Sequence, residues 1–207
     1  MTDLSRGISL EGISCAGKTS TMYEIKKLFA CDENLERNIV MLGEHYTQVL
    51  NSVNGSFVNH SHSEHVEMLA ERITMLEGLH NWGCRLGSYS RRSRGLYTVL
   101  ERGLINHLAH FEDYDDPVMI DIAARFKALG IEAIVLIISD AHLAERSKLR
   151  CGQLNLSKPE EYHLEVAEQA KLRQEALLTA ASRSGLDYRV ICTDSMEWAK
   201  YAQKIVY

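Results

Sequence analysis

The residues Gly12-Ile13-Ser14-Cys15-Ala16-Gly17-Lys18-Thr19 bring two glycines, a lysine and a hydroxyl together at a spacing suited to holding phosphate. Glycines let a loop turn tightly enough for its backbone N–H groups to converge on anionic oxygens. A helix starting near Lys18 adds the positive end of its dipole. Lys18 then reaches the outer phosphates of a nucleoside triphosphate, and Thr19 offers its hydroxyl to Mg²⁺. The expected nucleotide-contacting set is Gly12, Ser14, Cys15, Ala16, Gly17, Lys18, Thr19 and Ser20. At average glycine usage, a chance match to this pattern in a chain of this length is on the order of one percent. The setting narrows it further, because the apolar run Ile8-Ser9-Leu10 precedes the motif and an amphipathic segment follows it. Cys15 lies beside a helix N-terminus, a setting expected to lower its thiol pKa.

The elements that must position these groups alternate. Strands are expected at Gly7–Glu11, Asn38–Leu42, Leu96–Leu100, Ala133–Ile138 and Tyr188–Cys192. The apolar run Ala133–Ile138 fits a strand covered on both faces. Helical periodicity marks Lys18–Ala30, Ser63–Trp82, Leu104–Phe111, Asp116–Leu129, Asp140–Arg150, Lys158–Arg183 and Ser195–Ile205. Asp115 or Asp116 caps the fourth of these, Pro117 sits in its first turn and Gly130 ends it. Asp194 or Ser195 is expected to cap the last. Strands alternating with helices imply an α/β fold, a parallel sheet with helices on both faces, whose ligands bind at the carboxyl ends of the strands.

The 207 residues suit a single domain spanning 1–207. With 23 Lys and Arg against 28 Asp and Glu, the net charge of −5 argues against a nucleic-acid partner. The one dense basic cluster is Arg91, Arg92 and Arg94. Five scattered cysteines without ligand spacing read as reduced thiols, and no apolar targeting run or membrane span stands out, so a cytoplasmic protein without a membrane partner is expected. His60, His62 and His65 lie near Glu64, but the sequence offers no cysteine or second histidine pair to complete a metal site there. The DxxG and NKxD patterns of GTPases are missing; Asp113–Asp116 and Asn155–Lys158 do not fit them.

The stretch GISLEGISCAGKTST resembles the start of the thymidylate kinases and deoxyribonucleoside kinases, where an apolar strand ends in Glu-Gly before the phosphate loop. Three further segments follow in the order of those kinases. In NIVMLGEHY, Glu44 stands where they carry a Glu that acts on the acceptor hydroxyl, with His45 in place of the usual Pro. In YTVLERGLINHLAHF, the resemblance places Glu101 near Mg²⁺, directly or through water, and gives Arg102 the transferring or acceptor phosphates. Gly103 departs from the usual Tyr or Ser, and His107 and His110 follow within reach of an acceptor. In VLIISDAHLAERSKLR, Arg146 and Arg150 stand four apart like the arginines of a lid. The final YRVICTD matches the segment that helps to hold adenine.

The resemblance implies a three-layer P-loop NTPase fold with strand order 2-3-1-4-5, a small lid at about 146–160 and an acceptor-binding region at about 44–95. It implies an ATP- and Mg²⁺-dependent kinase for a nucleoside or nucleoside monophosphate. Lys18, Glu44, Arg102, Arg146 and Arg150 would be the catalytic set, and Thr19 and Glu101 the metal-facing pair. A kinase for another hydroxyl compound, such as an antibiotic or metabolite, and a non-catalytic nucleotide-dependent switch are the alternatives. The long helix Ser63–Trp82 is where two copies of the chain would pair.

Overall fold

The computed structural model describes residues 5–32, 38–43, 61–87 and 96–207. Five strands form one sheet: β1 Ser5–Gly12, β2 Asn38–Leu42, β3 Leu96–Glu101, β4 Ile131–Ile137 and β5 Tyr188–Cys192. Among the described residues the helices are α1 Lys18–Cys31, α2 His62–Gly87, α3 Leu104–Phe111, α4 Pro117–Ala128, α5 Asp140–Gln153, α6 Glu160–Arg183 and α7 Trp198–Val206. The strand order is β2-β3-β1-β4-β5 and every pairing is parallel, as expected.

Right-handed crossovers place α1 on one face and α2, α3, α4 and α6 on the other. The packing agrees: α1 lies against α7, and α6 lies against α3 and α5. The central strands are therefore buried on both faces. Leu10, Val99, Leu100, Ile134, Val135 and Leu136 have no exposed surface. This two-sided burial explains why β4 reads as a continuous apolar run. No helix among the described residues is long and apolar enough to cross a membrane.

The chain leaves β1 for α1 and reaches β2 on one side, whereas β3 crosses over β1 to reach β4 on the other. The order of strands reverses at β1, and a crevice opens there at the carboxyl ends of β1 and β3. Register sets what faces that crevice. Leu10 pairs with Glu101 and Gly12 with Leu136, so the loop after β1 rises just beyond the last residue of β3.

Several boundaries differ from the sequence expectation. α2 begins at His62 because Ser61 and Glu64 form a capping box: Ser61 N–H donates to Glu64 Oε2 at 2.6 Å and Glu64 N–H to Ser61 Oγ at 3.3 Å. It also runs on past Trp82 to Gly87. α7 begins at Trp198, three residues later than expected, and neither Asp194 nor Ser195 caps it. Asp194 is used elsewhere, accepting from Ser139 N–H at 2.9 Å at the start of α5. Glu44 and the basic cluster Arg91, Arg92 and Arg94 lie outside the described residues, as do 44–60 and 88–95 of the expected acceptor region.

The expected cap of α4 is present: Asp116 accepts from Val118 N–H at 2.7 Å, with Pro117 in the first turn. Asp116→Ala should cost about 1 kcal/mol of stability. In a chain of this size that is a fall in Tm of about 2–4 °C, read by thermal denaturation.

Candidate functional site

The loop between β1 and α1 depends on two glycines at positive φ. Gly12 has φ 147°, and a Cβ there would lie 2.6 Å from the Leu136 carbonyl oxygen. Gly17 has φ 86°, and a Cβ there would lie 2.1 Å from the indole of Trp198. Ala16 is fully buried, Ser14 is exposed and Ser20 is half-buried. Lys18 is buried, and its Nζ donates to the carbonyl oxygens of Gly12 and Ile13, each at 3.0 Å. The ammonium is thereby fixed against the loop that the sequence assigns to phosphate.

Cys15 occupies the left-handed region at φ 69°. Its thiol is pushed up from the ordinary value by burial, against the opposing charges of Arg150, Lys18 and Arg146. The lowering expected from the helix N-terminus does not prevail, because desolvation of the thiolate outweighs it. The opposing charges still matter, since they place three cations around one loop.

Across the crevice, Thr19 Oγ1 donates to Glu101 Oε1 at 2.8 Å. Glu101 is the buried last residue of β3, and Thr19 lies in the first turn of α1. Arg102 follows with φ 63°. Its N–H bonds to the Leu10 carbonyl at 3.0 Å, and its own carbonyl accepts from Arg72 Nη1 at 2.8 Å. Non-glycine residues at positive φ are uncommon, and such strain gathers at functional sites. Here Cys15 and Arg102 flank the same crevice.

Two buried residues that the sequence reading left aside complete this wall. Glu11 has no exposed surface and accepts from Ser9 Oγ at 2.9 Å and from Asn106 Nδ2. A Cβ at Gly103 would lie 3.1 Å from Glu11 Oε1, so a larger residue there would press on the Glu11 carboxylate. Arg72, on α2, had no sequence signal beyond a charge within an apolar helical face. The sequence clue to Glu11 was its place directly before the loop.

Arg146 is a buried residue of α5. Nη2 donates to the Thr193 carbonyl and Nη1 to the Cys15 carbonyl at 3.4 Å, and the guanidinium lies 5.3 Å from the centroid of the Trp198 ring. It ties the phosphate loop to the segment between β5 and α7. Arg150, one turn further along, is exposed. The segment expected to form a lid, about 146–160, comprises the end of α5 and the link 154–159, and Lys148 pairs with Glu160 at 2.7 Å across it. His107 is buried and bonds to Asp113 at 2.9 Å, and His110 stands edge-on to Phe111.

No protein-family model matches the sequence, and no curated protein matches it. Solved structures do resemble it. The YorR protein of Bacillus subtilis, solved in complex with phosphorylated GDP, superposes with a TM-score of 0.57 at 15% identity, over 97% of this chain and 93% of that one. Thymidylate kinase from Ehrlichia chaffeensis superposes with a TM-score of 0.51 at 12% identity, over 98% and 99%. The chain has a P-loop kinase fold. In this P-loop kinase fold the Gly12–Thr19 loop, Glu101 and Arg146 gather around the carboxyl end of β1, whereas Glu44 lies outside the described residues.

The raised thiol pKa has a kinetic consequence. Alkylation of Cys15, followed by peptide mass spectrometry, should reach half its limiting rate at a higher pH than a free cysteine peptide does. Arg150→Ala removes the largest opposing charge and should move that midpoint further up.

Proposed function

We propose that this chain is a kinase that transfers the γ-phosphoryl group of ATP to a small acceptor, most fittingly a nucleoside or nucleoside monophosphate. The observation that carries the reading is the Thr19–Glu101 contact at 2.8 Å beside a loop surrounded by Lys18, Arg146 and Arg150. Phosphoryl transfer needs little covalent help; positioning and neutralisation of charge do most of the work.

Thr19 Oγ1 and Glu101 Oε1 are adjacent hard oxygen donors, a donor set that suits Mg²⁺ shared with phosphate oxygens. Bound there, Mg²⁺ would supply charge neutralisation at the β- and γ-phosphates. Lys18 would exchange its two carbonyl partners for phosphate oxygens. Arg146 would keep the loop in shape through the Cys15 and Thr193 carbonyls, and exposed Arg150 would close over the triphosphate. Arg102, anchored by its backbone at the end of β3, would orient the transferring or acceptor phosphate. For a hydroxyl acceptor Glu44 would accept the proton; for a phosphate acceptor no base is required.

Gly103, in place of the Tyr or Ser usual in those kinases, supports a second reading, an acceptor other than a nucleotide. A nucleotide-dependent switch is the reading from a different class. Pairing of two copies through α2 belongs to the same proposal, since Met75 and Trp82 stand 46% and 50% exposed, seven residues apart on that helix.

An acceptor screen that follows ADP release separates these readings. Arg102→Ala should lower kcat by about 10²–10³, the usual cost of losing one charge-stabilising donor, while ATP affinity stays nearly unchanged. Glu44→Gln should lower kcat for a hydroxyl acceptor and leave a phosphate acceptor's rate intact. ATP binding without turnover on any acceptor, unaltered by Arg102→Ala, would favour the switch.

A further inference from the structure

Away from the phosphate loop, three side chains from separate elements meet at one point. His62 is the first residue of α2, His107 lies in α3, and Asp113 follows the end of α3. His62 Nε2 lies 2.7 Å and His107 Nε2 2.9 Å from the same oxygen, Asp113 Oδ2. The ligand atoms of all three lie within 4.8 Å of one another. We infer that His62, His107 and Asp113 form a binding site for a divalent first-row transition ion of the zinc type.

The local structure fixes each donor. The Ser61–Glu64 capping box sets where α2 begins and so places His62. Glu112 caps α3 in the left-handed conformation, φ 56°, and turns the chain so that Asp113 returns beneath His107. Phe111 packs against both rings, at 4.7 Å from His62 and 4.8 Å from His107 between centroids. The His107 side chain is 6% exposed and that of Asp113 12%, while His62, 44% exposed, closes the site from the surface.

Asp113 Oδ1 is buried and has no hydrogen-bond partner among the described residues. A buried acceptor without a partner is costly, and in a native structure a bound ion is one of its standard explanations. A tetrahedral zinc ion with bonds of about 2.0–2.1 Å holds its ligand atoms about 3.3 Å apart. Both histidine-to-aspartate separations are already shorter than that. Those two separations must open by about half an ångström and the two imidazole nitrogens, within 4.8 Å of one another, must draw together; exposed His62 has the freedom to make both adjustments.

Two imidazoles and one carboxylate suit zinc and its neighbours, whereas an all-oxygen pair such as Thr19 and Glu101 suits magnesium. Three protein ligands leave a fourth position for water. His62 and Arg72 are ten residues apart on α2, about 15 Å along the helix, so this site is separate from the crevice at Arg102. A bound ion would clamp the first turn of α2 to the end of α3. The sequence pointed to His62 but not to the residues that complete the site, because its partner Asp113 lies 51 residues later in the chain.

The test is a calorimetric titration of the chelator-treated full chain with ZnCl₂ in excess Mg²⁺, repeated with Co²⁺ while the visible spectrum is followed. The parent should bind one equivalent of Zn²⁺ and show the bands of four-coordinate cobalt. His62→Ala and Asp113→Asn should each weaken binding by well over about a hundredfold, beyond the 10–100-fold cost of losing an outer partner, and should abolish those bands. His62 lies at the surface, and circular dichroism verifies that its variant folds. His80 Nε2 lies 3.4 Å from Cys84 Sγ, so His80→Ala serves as the control and should bind as the parent does. Binding no tighter in the parent than in His62→Ala, or binding lost in His80→Ala instead, would overturn the assignment.

Discussion

Two buried cations bond to carbonyl oxygens of the loop between β1 and α1. Lys18 takes those of Gly12 and Ile13 from within, and Arg146 takes that of Cys15 from α5. Every peptide bond here is trans, so the N–H that follows each of those carbonyls points to the opposite side. Side chains that capture the carbonyls therefore help to decide where the amides aim. Much of the surrounding structure serves this loop. The indole of Trp198 packs so close to Gly17 that no larger residue fits. Arg146 reaches across to the Thr193 carbonyl, and Asp194 binds the backbone at the start of α5, so α5, the end of β5 and the loop form one braced unit.

The opposite wall is set by sheet register. Pairing of Leu10 with Glu101 brings a carboxylate within hydrogen-bond distance of Thr19, and the chain then turns sharply at Arg102. Backbone strain at Cys15 and Arg102 persists because both are over-determined, one by Arg146 and the other by Leu10 and Arg72. Glu11 and Ser9 line the space beside position 103, with Glu11 Oε1 3.1 Å from where a Cβ would sit. Position 103 and Glu11 are thus neighbours in this wall, and a side chain at 103 would press on the Glu11 carboxylate.

What was readable in advance is what is local. Gly12–Thr19 is contiguous, and its chemistry follows from spacing alone. Asp116 and Pro117 announce the start of α4, and the unbroken apolar run of β4 announces burial on both faces. What was not readable depends on long separations. Arg146 and Cys15 are 131 residues apart, so the sequence showed an arginine for a lid but not its anchor in the loop. Asp194 looked like a cap for the following helix and instead caps the backbone of a preceding one, a choice made by tertiary packing. Cys15 was misjudged because the helix dipole is visible in sequence and desolvation is not. The meeting of His62, His107 and Asp113 required the packing of α2 against α3.

The most direct test of the central claim is a crystal structure of the chain with Mg²⁺ and a non-hydrolysable ATP analogue. The account predicts the β-phosphate inside the Gly12–Thr19 loop, Lys18 Nζ moved from the Gly12 and Ile13 carbonyls onto phosphate oxygens, and a metal ion between Thr19 and the triphosphate. A triphosphate bound elsewhere, with Lys18 still on those two carbonyls and Thr19 still on Glu101, would contradict it.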